Sequence, residues 1–186
     1  MQKIPTLFLR NPQNMKLVTR DVNPEAAWVL KGHSIPTVKK DGTNIRVTVE
    51  NGVWTRIEKR RNPTREEKAL GAEPGYVNAL GDDPSNVHIL RAVMETDFTT
   101  WPNGMWPCEA LGPKIQGGIE SNTPCLYPFS FQPEVLSHID ITYDAIKAFL
   151  ETHEIEGIVW QDVHLYRAVK VKRKDMGLPW PVKNKS

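Results

Sequence analysis

Thr43-Asn44-Ile45-Arg46-Val47-Thr48-Val49-Glu50-Asn51-Gly52-Val53-Trp54-Thr55-Arg56-Ile57-Glu58-Lys59 is the stretch that decides the fold class. Two runs rich in β-branched residues flank Asn51-Gly52, and both residues of that pair tolerate the left-handed backbone of a tight two-residue turn. The stretch therefore predicts an antiparallel hairpin, with strands over 43–50 and 53–59.

Outward on the N-terminal side, residues 35–39 return to extended structure and deliver Lys39 to a strand end, followed by Lys40-Asp41-Gly42. Lys39 is the reactive candidate. A lysine attacks phosphorus only as the free amine, a form favoured by desolvation or by neighbouring positive charge. Asp41-Gly42 is also ordinary turn chemistry, with Lys39 as a solvated strand end. Because the hairpin directly follows Asp41-Gly42, Lys39 is expected at the edge of an antiparallel sheet. Further upstream, 4–10 reads as a strand. Asn23 reads as the N-cap of a short helix with Pro24 in its first position and Gly32 at its end. Downstream, 62–86 is polar and rich in Gly and Pro, a connection with one helical turn near 65–70. Helices follow at 87–95 and 142–152, the latter with Ala145, Ile146, Phe149 and Leu150 on one face. Strands are expected at 106–111, 126–131, 155–161 and 166–173. Many antiparallel strands with a few helices argue for an α+β fold of packed antiparallel sheets.

The chain of 186 residues suits one domain, 1–186, with a sizeable core. It has no apolar run of membrane-spanning length and no signal-peptide pattern, so the expectation is a cytoplasmic or otherwise intracellular protein with no membrane partner. Cys108 and Cys125 form no Cys-x-x-Cys pair, and His33, His88, His138, His153 and His164 show no paired ligand spacing, so no zinc site is expected. The net charge is only +2, but basic residues gather in two runs: Arg56, Lys59, Arg60, Arg61 and Arg65, then Arg167, Lys170, Lys172, Arg173 and Lys174. Such runs read either as an electrostatic face for nucleic acid or as charge-balanced strands.

There is neither a P-loop nor a Gly-x-Gly-x-x-Gly, so phosphates would have to be met by side-chain cations. Lys170 and Lys172 flank Val171 on a strand and share a face, where two ammonium groups can flank an α-phosphate and disfavour protonation of Lys39. Glu156, which opens Glu156-Gly157-Ile158-Val159, can hold a magnesium ion through water or orient the lysine.

Lys39-x-Asp41-Gly42 resembles motif I of the covalent nucleotidyltransferases, which comprise DNA ligases, RNA ligases and mRNA capping enzymes. Gly42-Thr43-Asn44 is closest to the RNA ligase branch. Glu109-Ala110-Leu111-Gly112-Pro113, Phe131, Glu156-Gly157-Ile158-Val159 and Lys170-Val171-Lys172 resemble the later motifs, in order. The part from Glu156 to Pro181 is similar to a small family of 5′-3′ RNA ligases of animals and phages. The resemblance covers about Ile35 to Pro181. It implies a nucleotidyltransferase (adenylation) domain, with the nucleotide in a groove between antiparallel sheets.

The implied activity is ATP-dependent joining of RNA 5′-phosphate and 3′-hydroxyl ends through lysyl-AMP and adenylated RNA. Lys39 would be the nucleophile, and Lys170 and Lys172 would meet the α-phosphate. Asp41, Gly42, Asn44, Arg56, Glu109, Phe131 and Glu156 would bind ATP: Glu109 at the ribose hydroxyls, Phe131 on the base, and Arg56 and Asn44 near ribose or phosphate. Glu156 would also serve magnesium, with manganese as the alternative. Gln132 stands where DNA ligases usually carry aspartate. The chain ends soon after Lys172, leaving no room for the OB-fold that DNA ligases and capping enzymes append. A monomer is expected. A GTP-using capping-type transferase, a DNA-ligase-like enzyme and a non-catalytic RNA-binding module of the same fold remain the alternatives.

Overall fold

A computed structural model describes residues 4–32, 34–80, 83–162, 164 and 167–182. His33, and Tyr166 at the start of the strand expected over 166–173, lie outside the described residues. In chain order the strands are β1 (Phe8–Asn11), β2 (Asn14–Val22), β3 (Ile35–Lys39), β4 (Thr43–Glu50), β5 (Val53–Arg61), β6 (Gly75–Asn78), β7 (Gly104–Leu111), β8 (Cys125–Pro128), β9 (Gly157–Asp162) and β10 (Arg167–Lys172). The α-helices are α1 (Arg65–Ala69), α2 (Val87–Met94) and α3 (Tyr143–Thr152), with short 3-10 helices at Pro24–Lys31 and Arg173–Met176 among others. The result is a mixed α+β fold of antiparallel sheets with few helices. Among the described residues no helix is long and apolar enough to cross a membrane.

Local chemistry sets the boundaries. The Asn51-Gly52 turn has φ of 53° and 75° at its two residues, the left-handed pair that joins β4 to β5. Asn23 accepts from the Glu25 amide at 3.1 Å, Pro24 opens the helix, and Gly32 closes it at φ 77°. Thr64 and Glu67 form a reciprocal capping box on α1, and Thr142 caps α3.

The chain divides into two compact units. One runs from Asp41 to Gln132, and the other is built from the segment up to Lys40 and the segment from Pro133 on. The continuous unit holds a five-stranded sheet, order β6-β5-β4-β7-β8. Its apolar face packs Ile45, Val47, Val49, Ile57, Cys108 and Ala110 against Ile89, Ala92 and Val93 of α2. The two-segment unit holds the β1-β2 hairpin and a three-stranded sheet, order β10-β9-β3. Trp160, Ile158, Val169 and Val171 are its buried centre, with Ile146 and Leu150 of α3, Phe8 and Val29 around them. Each such side chain contributes about 1.5–3 kcal/mol when fully buried, so each unit has a core of its own.

Several expectations change. Lys39 ends β3, an edge strand of an antiparallel sheet as expected, but this is the three-stranded sheet, and the β4-β5 hairpin belongs to another. Two strands were missed. In β2 only Val18 is fully buried, so no apolar alternation marks it. β6 is four residues inside a polar, Gly-rich connection, and it exists because β5 offers an edge from Glu58 to Arg61. The first strand starts at Phe8, while residues before it run beside β10 through Leu7 N–H to Lys170 O at 3.0 Å and Lys170 N–H to Pro5 O at 3.0 Å. β8 ends at Pro128, so Phe131 is off the strand.

Candidate functional site

Strand pairing brings the lysines together. Gly157 of β9 is opposite Lys39 of β3 on one side and Lys172 of β10 on the other, which makes one row across the sheet. The adjoining row on the same face is Thr37, Val159 and Lys170. The row between them, Val38-Ile158-Val171, is buried, and in the row beyond, Pro36-Trp160-Val169, Trp160 and Val169 turn to the core. Three lysines thus share one face of three adjacent strands, with Lys39 and Lys172 about 10 Å apart at the backbone, two strand spacings. The bare Gly157 lies between them.

Gly157 cannot be anything larger. A Cβ there would fall inside contact distance of the Val171 carbonyl oxygen and 2.9 Å from Lys172 Cα. Glu156, just before it, is 8% exposed and accepts a hydrogen bond from Lys39 Nζ. Lys39 Nζ also donates to Lys40 O at 3.1 Å, and its side chain is 20% exposed. These two contacts aim the amine. The outer side of β3 is bonded in turn: Val38 N–H donates to Glu134 O at 2.9 Å and Lys40 pairs with the Glu134 carboxylate at 2.7 Å.

In the continuous unit a second polar face forms on the five-stranded sheet. Alternation along β4 puts Asn44, Arg46 and Thr48 opposite the apolar Ile45, Val47 and Val49. Asn44 is opposite Glu109 of β7, which is opposite Tyr127 of β8. Gly42 N–H donates to Glu109 Oε1 at 3.1 Å, and Asp41 N–H to Glu120 Oε1 at 2.9 Å. A Cβ on Gly42 would sit 2.7 Å from Glu109 Cγ and closer still to Ala110 O, so this glycine is required by packing against β7. Arg56 is exposed and pairs with Glu58 at 2.8 Å.

Sequence reading missed the centre of this second face. Glu58 is 2% exposed and takes Arg46 Nε at 2.8 Å beside Arg56. The Arg46 guanidinium lies 4.4 Å over the Tyr76 ring, and the Tyr76 hydroxyl donates to Asn44 Oδ1 at 2.8 Å. Burial pushes the Tyr76 hydroxyl above its ordinary pKa. Arg46 was legible from strand alternation alone. Tyr76 was not, since β6 left no pattern.

Phe131 packs edge-on against Trp101 and Trp106, with centroids 4.8 and 4.9 Å away. It is therefore part of an aromatic cluster on the core, which is what those contacts require of it. Several members of the two basic runs are charge-balanced, as the second of the two readings expects, while Lys172 and Lys174 of the later run have no such pairing among the described residues. Lys59 pairs with Asp83, Arg61 with Glu67 at 2.9 Å, and Arg167 with Asp162 at 3.0 Å. Arg173 is buried and donates to Pro179 O at 2.8 Å, His153 O at 2.9 Å and Leu150 O. Its charge serves the fold.

Among the described residues no three His, Cys, Asp or Glu side chains gather as a metal cage. Magnesium that arrives with phosphates needs only one or two protein carboxylates. Glu156, the carboxylate on the lysine face, fits that role. No family model matches the sequence, and no curated protein matches it.

Proposed function

We propose that this protein is an ATP-dependent RNA ligase that works through a covalent lysyl-AMP intermediate. The observation that carries the reading is the row Lys39-Gly157-Lys172 with Lys170 beside it and Glu156 on the Lys39 amine. A nucleophilic lysine needs a proton acceptor, and the phosphorus it attacks needs cations around it. Both are present on one sheet face, held by strands whose geometry is fixed by a glycine that admits no side chain.

On this reading Lys39 passes a proton to Glu156 and attacks the α-phosphorus of ATP. The P–N bond forms as the bond to the bridging oxygen of the β-phosphate breaks, and pyrophosphate departs with the electron pair. Lys170 and Lys172 offset the charge that builds on the α-phosphate oxygens. Magnesium, when bound, adds positive charge against the phosphates, with Glu156 as the carboxylate able to hold it. AMP then moves from Lys39 to an RNA 5′-phosphate, and attack by a 3′-hydroxyl joins the ends and releases AMP. The resemblance adds Asp41, Gly42, Asn44, Arg56, Glu109 and Phe131 as nucleotide contacts.

The test is incubation with magnesium and α-labelled ATP, or GTP, followed by denaturing electrophoresis and intact mass. One AMP on the wild type, none on Lys39→Ala, and a rate about 100-fold lower in Glu156→Gln are expected. Labelling by GTP alone would favour the capping-type alternative. Absence of any covalent label, or equal labelling of Lys39→Ala, would overturn the reading.

A further inference from the structure

We infer that a groove at the tip of the β1-β2 hairpin binds the phosphodiester backbone of the RNA substrate. The inference rests on the ligase reading for the identity of the strand. All of the groove's residues belong to the two-segment unit. The groove encloses about 820 Å³ and is lined by Arg10, Met15, Lys16, Lys172, Lys174 and Asp175 among others. None of Arg10, Asn14, Met15 and Lys16 was singled out by the sequence.

Charge is the first argument. Four cations face one carboxylate, and that carboxylate is already engaged. Asp175 is 2% exposed and accepts from Arg10 at 2.8 Å and from the Lys172 amide at 2.9 Å. Lys16 and Lys174 are exposed and have no ion-pair partner among the described residues. They are therefore available to phosphate, and cations near phosphates supply most of the affinity for a polynucleotide backbone.

Continuity is the second. Lys172 lines the groove and also ends the Lys39-Gly157-Lys172 row. A strand lying along Lys16 and Lys174 would lead to the reactive face with no change of surface. Chemistry is the third. Met15 is 65% exposed next to Lys16, an apolar surface for a base between cations for its phosphates. The cations sit on three elements, Arg10 and Lys16 on the hairpin, Lys172 at the end of β10 and Lys174 on the Arg173–Met176 helix, and not on one glycine-rich loop of amides. Cations spread over separate elements suit successive phosphodiesters better than a single triphosphate.

The experiment titrates a fluorescein-labelled, 5′-phosphorylated single-stranded RNA against the full chain at several salt concentrations. Covalent labelling by ATP is followed in parallel. Lys16→Glu should raise the RNA Kd about tenfold and leave the ATP labelling rate at the wild-type value. Lys16→Gln combined with Lys174→Gln should lower the slope of log K against log salt by about 1.4, two single-strand contacts. Unchanged RNA affinity and slope would overturn the groove. So would intact RNA binding with a raised KM for ATP labelling, which would make it a triphosphate site. If the wild type fails to label with ATP, the ligase reading falls, and the RNA titration still decides the groove by itself.

Discussion

Replacing Gly157 by alanine is the sharpest perturbation of the lysine face. The added methyl would overlap the Val171 carbonyl oxygen and sit 2.9 Å from Lys172 Cα, both backbone atoms of β10. No rotamer change relieves a backbone overlap, so β9 and β10 must separate or twist at the row that holds Lys39 and Lys172. Overpacking of this kind costs about 1–3 kcal/mol, occasionally more, and the backbone partners argue for the upper end, about 3 kcal/mol. For a chain of this length that is a fall in Tm of about 6–12 °C. Gly75→Ala is the matched control, since Gly75 also lies in a strand but a Cβ there meets nothing within 4 Å. It should be neutral or stabilise by about 0.4–1 kcal/mol through the unfolded chain. The assay is thermal and urea unfolding followed by circular dichroism, with lysyl-AMP labelling measured well below the transition. Gly157→Ala should unfold earlier and label more slowly even where it is folded. Wild-type stability and labelling in Gly157→Ala would refute the claim that this glycine sets the spacing of the lysines.

Three further outcomes follow from the same geometry. Arg173→Ala should cost about 1–3 kcal/mol in urea unfolding, because it removes a buried side chain and leaves the buried Leu150 carbonyl oxygen, and the part-buried ones of His153 and Pro179, without their donor. Asp83 is held by Lys59 and the Ser85 amide and hydroxyl at a pKa of about 2, below the ordinary 3.8. The unfolded chain therefore takes up this proton first as pH falls. The contribution to stability is full above about pH 4 and lost towards pH 2, so Asp83→Asn should flatten that part of the stability curve, and added salt should shrink the difference. Burial pushes the Cys108 thiol far above its usual range, while Cys125 is only half-buried. A disulfide reagent should modify Cys125 in the folded protein and reach Cys108 only on unfolding, read by mass after proteolysis.

What the sequence could reveal was whatever local chemistry controls. The Asn51-Gly52 turn and the Asn23-Pro24 start are decided by neighbours a few residues away, and they stand where local reasoning expects them. The common face of Lys170 and Lys172 was legible from strand alternation. The placement of Lys39 beside them was not, because it depends on β9 inserting between β3 and β10, a pairing of residues more than a hundred positions apart. β6 escaped notice for the same reason: its hydrogen bonds come from β5, not from its own composition. Glu58 looked like one charge in an alternating strand, and only the fold reveals it as a buried anchor for Arg46 and Arg56.

The division of the chain has a consequence for its birth on the ribosome. The unit from Asp41 to Gln132 is continuous, so it can complete its five-stranded sheet as soon as β8 has emerged. The other unit cannot. β3 is made early and must wait for β9 and β10, and Lys39 meets Glu156 only across 117 residues of later synthesis. Contacts of such long separation form slowly and last, and domains otherwise fold as they appear. The Lys39 amine therefore has neither its carboxylate nor its flanking lysines while the chain is nascent. Whatever this lysine does, it is armed only when translation of the sheet that holds it is finished.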